Sequence, residues 1–447
     1  MNLKMNFNFI LGTLLLIALA RPAVARPGES LDELGKEVAE LRAELVKLQS
    51  SGASADRVAE LERRIDLVAA EVEKARTSGA VEVEPGEGVH GFGPAASKVY
   101  RRDRGISIGG YGEALYQGGD EDTLDALRSV FYVGHKFSDR ILFNSELEFE
   151  HATTGEGAEE RGEVSVEFAY LDFKPWKSAG IRAGLVLVPM GFLNELHEPP
   201  IFHGARRTQT ERLIIPTTWR EVGAGAFGDV GPVAFRSYVV AGLDSAGFEG
   251  EQGIREGRQG GAESSAKDMA VTGRLDYTGL AGLTLGASLF FGRSGQGAEI
   301  DGVSIEGVVT VFDVHAQYDL RGLQLRGLFA RSSIADAALI NARNGLSGDE
   351  GVGERQYGFY LQAAYDVLNH RHGSWALSPF VRYEKLDTQD RVPAGFERDP
   401  KSERRILTVG VGVKPIPNVV LKGDYEWTKN RADESNDQLN LAIGYLF

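Results

Sequence analysis

The 447-residue chain contains no cysteine, which excludes disulfides, a lipid-bearing cysteine behind a leader, and thiolate chemistry of any kind. Long hydrophobic runs are equally scarce. Only Phe7 to Ala20 is predominantly apolar, and no later stretch approaches the roughly 20 residues a transmembrane helix needs. Positive charge is in deficit: 49 Lys and Arg against 64 Asp and Glu leave a net charge of -15, the wrong sign for a nucleic-acid partner. Proline is sparse, and four of the 15, Pro189, Pro199, Pro200 and Pro216, crowd into one stretch and stiffen it.

What is present instead is alternation. Leu439, Leu441, Ile443, Tyr445 and the terminal Phe447 fall on one side of an extended segment, and an aromatic residue closing such a strand is how outer-membrane β-barrels end, the last strand pairing with the first so that no edge remains. At the other end, Lys4, the apolar run and Ala23-Val24-Ala25 read as a signal peptide over 1–25, with Arg26 as the first mature residue. Pro22 and the shortness of the run speak against a retained anchor. Low overall hydropathy is compatible with a barrel, because only every second residue meets lipid.

From Ile106 onward the pattern predicts sixteen strands: 106–116, 129–137, 141–150, 164–173, 181–187, 220–228, 233–242, 269–277, 283–291, 308–318, 323–330, 357–365, 377–387, 405–415, 419–427 and 439–447. In 141–150, Ile141, Phe143, Leu147 and Phe149 share one face while Asn144, Glu146, Glu148 and Glu150 share the other. Short connections such as 138–140, 229–232 and 416–418 alternate with long polar ones such as 188–219, 243–267 and 331–355, with 366–376 long for its side. Aromatics gather at strand ends, for example Tyr116, Phe173, Trp176, Tyr277, Tyr318, Tyr365 and Trp427. The expected fold is all-β: a transmembrane antiparallel up-and-down barrel of about 16 strands over 105–447.

A different module precedes it. Leu31, Leu34, Val38, Leu41, Leu45 and Leu48, then Val58, Leu61, Ile65, Val68, Val72 and Ala75, recur at three- and four-residue steps, two coiled-coil seams interrupted at Ser50–Ser54. Each half is about three heptads and marginal alone, so a self-associating periplasmic coiled coil over 26–78 is expected, with a two-helix hairpin as the alternative. Residues 79–104 are Gly- and Pro-bearing, charged and aperiodic, and read as a linker.

The segment 189–221 concentrates charge, aromatics and proline. Folded into the lumen, it would set Arg206, Arg207, Arg212 and Arg220 against Glu195, Glu198, Glu211 and Glu221 as a constriction whose transverse field orders small polar solutes. Here the chain resembles the phosphate-selective porin O and P family, through Gly109-Gly-Tyr-Gly-Glu-Ala114, the strand Ile181 to Gly191 running into His197-Glu-Pro-Pro200, and Ile215-Pro-Thr-Thr-Trp-Arg-Glu221. That resemblance implies a homotrimeric channel, the four loop arginines as constriction residues, and Arg182, Arg236, Arg326, Arg382 and Lys422 as an inward basic track. The wall is nevertheless mixed, with Glu146, Glu148, Glu150, Glu167, Asp276, Asp313, Glu384, Asp424 and Glu426 at inward positions. A mixed wall argues for a general porin with at most mild anion preference, since phosphate selection wants a cationic path.

Weaker motifs point elsewhere. Gly223 to Gly228 matches a dinucleotide fingerprint but sits in a strand without the following helix. His370 and His372 near Asp366, or His197 and His203, lack a third metal ligand. A barrel-wall enzyme would have to use His151 with Glu150 or His315 with Asp313, and neither has a marked nucleophile, so no enzyme and no cofactor is expected. The structural alternative is a tether: about 46 helical residues reach on the order of 70 Å, far enough for the coil to approach the cell wall while the barrel is closed or secondary.

Overall fold

The computed structural model describes residues 88–447 except 120–121, 154–161, 177 and 370–373, together with helical residues at 41, 43–44, 61, 63 and 65–66. The signal peptide, most of the coil, and His370 and His372 lie outside the described residues.

Sixteen antiparallel strands close into one barrel. They are β1 (Gly105–Gly118), β2 (Thr123–Lys136), β3 (Ile141–Glu150), β4 (Val164–Phe173), β5 (Ala179–Leu187), β6 (Arg220–Val230), β7 (Val233–Ala241), β8 (Met269–Leu280), β9 (Leu283–Gly292), β10 (Val309–Leu320), β11 (Leu323–Ile334), β12 (Arg355–Tyr365), β13 (Ala376–Arg391), β14 (Glu403–Ile416), β15 (Val419–Asn430) and β16 (Gln438–Leu446). Each pairs with its sequence neighbours, and β1 pairs with β16 from Tyr111↔Leu446 to Gly118↔Leu439. Phe447 completes the seam by exchanging two backbone hydrogen bonds with Gly110 at 2.9 Å.

The period of two sorts the residues. In β16, Leu439, Leu441, Ile443 and Tyr445 are 41–49% exposed on the outside while Asn440 is 0% exposed inside. The same holds around the wall, where Val133, Leu171, Ile181, Val239, Leu275, Leu289, Val314, Leu361 and Val409 all face outward and are exposed. An apolar belt this continuous is stable only against hydrocarbon or another protein.

All sixteen expected strands are present, and the differences lie at their ends. Strand β2 begins at Thr123 rather than 129, and β13 runs to Arg391 rather than 387. Backbone pairing continues past the apolar belt, where either face tolerates polar side chains and the alternation fades. The short turns follow turn chemistry: Arg321 and Gly322 both have positive φ, at 51° and 82°, the conformation of a two-residue hairpin. The long connections add α1 (Gln209–Leu213), a two-stranded hairpin at Glu299–Ile300 and Val303–Ser304, and α2 (Ala337–Arg343).

The interior is filled from two directions. Loop 188–219 folds back inside, its Val188, Met190, Phe192, Leu193, Ile214, Ile215 and Trp219 joining inward residues Tyr170, Tyr238, Phe290 and Tyr360 in one apolar cluster. Residues 88–101, expected as part of a free linker, pack inside as well: Phe92, Ala95, Ala96, Ser97 and Val99 are buried. Their few apolar side chains carry no period because they meet a lumen wall rather than a repeating face.

Candidate functional site: the inserted loop and its arginines

The loop closes on itself at its base. Val188 N–H donates to Trp219 O at 3.0 Å, and the Asn194 amide donates to Val188 O at 2.6 Å and Trp219 O at 2.9 Å. Thr208 caps α1 by accepting from Glu211 N at 3.4 Å. With the base stapled and the apolar residues packed, the remaining side chains can only point at the wall or into the remaining lumen.

The loop carboxylates point at backbone and wall. Glu211 accepts from Phe192 N at 2.8 Å, Leu193 N at 2.7 Å and the Tyr360 hydroxyl at 2.7 Å. Glu198 accepts from Ala95 N at 3.1 Å and Ala96 N at 3.3 Å. Glu195 lies 3.3 Å from Arg236 and 3.7 Å from Arg274. Glu221, at the start of β6, accepts from Trp219 Nε1 at 3.3 Å and Gln259 N at 3.0 Å. Burial pushes the Glu198 carboxyl up to about 8, and raises Glu195 and Glu211 above the ordinary carboxylate range. The structure therefore does not set these four acids opposite the loop arginines; it turns them into anchors.

The arginines behave differently. Arg206 donates to Gln438 Oε1 at 2.6 Å, Arg207 reaches His197 O at 3.5 Å, Arg212 reaches Gln209 Oε1 at 3.5 Å, and Arg220 pairs with Glu167. All four remain partly exposed. Two more arginines from the next loop join them. Arg255 donates to Arg212 O at 2.9 Å and to Thr217 O, and Arg258 donates to Pro216 O at 3.1 Å and Thr218 O at 2.5 Å. Burial, and then repulsion from Arg258 and Arg212, pull Arg255 down to about 9; burial and the proximity of Arg206 and Arg404 lower Arg212. The result is a crowded, half-open group of like charges, the arrangement that attracts a mobile anion. Sequence reading missed Arg255 and Arg258 because only the folding of two loops onto each other brings them to Arg212.

The five expected wall cations all point inward, but each is engaged. Arg182 forks onto Asp172 at 2.8 and 3.0 Å and lies 4.1 Å over Tyr170 and 4.6 Å over Phe92. Arg236 holds Asp276 at 2.6 Å. Arg326 donates to Gln317 at 2.7 Å and covers Phe192 at 4.7 Å. Arg382 pairs with Glu384 at 3.0 Å and donates to His203 O at 3.2 Å. Lys422 donates to Gly204 O at 2.8 Å. Four of the five thus hold the loop or its neighbours, and Arg182 holds the 88–101 segment. The inward acids are engaged likewise: Arg128 meets Glu148 at 3.1 Å and Glu150 at 3.8 Å, and Asp424 accepts from Ala205 N at 2.6 Å. Glu426 is 4.0 Å from Arg206.

His197 and His203 lie on the loop, and among the described residues no His, Asp and Glu group is arranged to hold a metal. His197 Nε2 is 3.2 Å from Glu146, and burial, then Arg207, lower His197 to about 4. Burial and Arg326 lower His203 to about 3. His315 is held by Asp313 at 2.6 Å through Nδ1 and by Asp276 at 3.0 Å through Nε2. Both ring nitrogens are occupied, which leaves none to activate a nucleophile. His151 is exposed and meets Asp125 at 2.6 Å. Gly223 to Gly228 lies within β6.

No family model matches the chain. An uncharacterized protein of Aquifex aeolicus (strain VF5) is 40% identical over 368 residues, covering 80% of this chain and 83% of the relative. The chain belongs to the same family as that protein. Among solved structures, an anion-selective porin from Comamonas acidovorans is 12% identical, covers 76% of this chain and 99% of its own, and superposes with a TM-score of 0.50. At that identity the likeness is one of fold. OmpT of Vibrio cholerae is 10% identical over 77% of this chain and 98% of its own, with a TM-score of 0.49.

Proposed function

We propose that this family member is an outer-membrane porin, a passive diffusion channel for small hydrophilic solutes with a mild preference for anions. The observation that supports this most is the partly exposed group of Arg206, Arg207, Arg212, Arg255 and Arg258 on the two loops that fold together, with Arg220 at the start of β6, in a chain whose outer surface is an apolar belt. Guanidinium groups with spare donors favour carboxylate or phosphate transiently without a deep binding site. The mixed wall keeps the preference weak, and phosphate is one permeant among several. The barrel spans the outer membrane with the short turns on the periplasmic side, the upstream coil gathers three copies, and no cofactor takes part. Zero-current potentials in a salt gradient test the reading: the proposal expects a modest anion bias, and strong cation selectivity would defeat it.

A second reading draws on the same interior. Inward residues of most strands are buried, and the loop, residues 88–101 and other connections through Phe248, Ile254 and Ile340 share the interior, as a closed barrel serving as an envelope tether through its coil would require. Deleting 31–76 separates the two. A porin keeps its conductance after that deletion; a tether loses envelope attachment, and its barrel is silent throughout.

A further inference from the structure

Residues 88–101 enter at the end of the barrel that carries the short turns. His90 Nδ1 lies 3.0 Å from Asp229 and its Nε2 3.1 Å from Lys174 Nζ, both at strand ends beside those turns. Phe92 then stacks on Tyr170, with centroids 5.5 Å apart, under the Arg182 guanidinium. The 3-10 turn Ala96–Arg101 follows. Ala96 O accepts from the Asn144 amide at 2.9 Å, and the Tyr100 hydroxyl donates to Asp172 at 2.7 Å while accepting from Arg182 at 2.8 Å.

Two glycines tie this segment to the loop. A Cβ at Gly93 would stand 2.5 Å from the Glu198 carboxyl carbon, and one at Gly91 would stand 2.7 Å from Glu195 Oε1. At Gly91 a positive φ of 90° also favours glycine, and at Gly93 any side chain would push the Glu198 carboxylate aside. Glu198 therefore touches both fillings of the lumen, belonging to the loop while accepting from Ala95 and Ala96.

We propose that residues 88–101 are a removable plug of the barrel's periplasmic mouth, and that withdrawing it both empties the mouth and frees the inserted loop at Glu198. Three features carry this. The segment is held by side chains and by scattered hydrogen bonds rather than by a strand ladder, so it can leave without opening the barrel wall. Its contacts lie on one side of the barrel, from β1 and β2 through β7. Its upstream end leads, through the expected linker, toward the segment where the sequence predicts a coil. The barrel, closed independently through β1 and β16, stays intact when the plug leaves. The inference rests on the channel reading above.

The absence of cysteine makes the test clean. In the full-length protein, a single Val99→Cys reports release through labelling by a membrane-impermeant maleimide. Paired Val99→Cys and Gly134→Cys locks the plug: an added Cβ at Gly134 stands 2.7 Å from Val99 Cβ, so the usual Cβ separation of about 3.8 Å needs a shift of about an ångström. Phe92→Ala loosens the plug and should raise the labelling rate of the Val99→Cys thiol on the order of a hundredfold, the scale of deleting a buried ring. The proposal expects bilayer conductance to rise with labelling in Phe92→Ala, to fall on oxidation of the paired cysteines, and to return with reductant. Equal conductance in locked, loosened and wild-type protein, with the Val99→Cys thiol unlabelled, would overturn the plug while leaving the channel standing. Rapid labelling without conductance in any variant would instead overturn the channel reading, and gating with it.

Discussion

Two arginine-bearing regions of this interior differ in what surrounds the charge. Around Arg182, the carboxylate of Asp172, the hydroxyls of Tyr100 and Tyr238 and three aromatic faces enclose one guanidinium completely. On the inserted loop, Arg206, Arg207, Arg212 and Arg220 are joined by Arg255 and Arg258 and share few carboxylates. The first arrangement is a structural clamp, because a paired and buried charge has no donor left for a solute. The second repels itself, keeps spare donors and stays half open. The same residue type is therefore cement in one place and a candidate selectivity element in the other, and its partners decide which.

The contrast breaks most visibly at the clamp. Arg182→Ala should cost about 3–5 kcal/mol of stability, since it strands Asp172 without its partner; denaturant unfolding in detergent measures it, and a loss below about 1 kcal/mol would mean water had taken over. On the loop, charge reversal at Arg212 and Arg258 together should shift the anion-to-cation permeability ratio by roughly two- to fivefold, with some loss of stability because Arg258 also holds Pro216 O and Thr218 O.

Acidity sharpens the same distinction. His197 sits near 4 when folded against an ordinary 6.5, so the folded state binds fewer protons, and stability present above pH 6.5 is lost as pH falls toward 4, by on the order of 3 kcal/mol. Glu198 runs the other way: held near 8, it contributes fully below its ordinary 4.5 and loses stability as pH rises toward 8. His197→Gln should flatten the acid limb of a melting-versus-pH curve and Glu198→Gln the alkaline limb. If both curves keep their wild-type shape, neither group governs loop docking. The smallest effect belongs to Arg293, exposed and paired with Glu306, where Arg293→Ala should change stability by less than about 0.5 kcal/mol.

The strands were legible because lipid and lumen impose opposite demands on neighbouring residues, so Leu439 to Phe447 announces its own geometry. The loop was legible too, through its prolines and charge. What its charges touch was not. Glu211 reads like any surface acid, yet it accepts from two backbone amides and Tyr360. Arg255 lies 43 positions from the carbonyl it holds at Arg212. Phe92 and Val99 looked like isolated apolar residues in a linker because their partners, Tyr170 and Gly134, come from strands far along the chain. Pattern finds surfaces that repeat, whereas single contacts across a lumen leave no period to find.

We infer a conducting, weakly anion-favouring channel governed by its loop arginines. Planar-bilayer recording of the purified full-length protein across a salt gradient tests that directly. Discrete conductance steps with a small anion bias, reduced by reversing Arg212 and Arg258, are the predicted result; a folded barrel that never conducts, or one whose selectivity ignores those two residues, would contradict it.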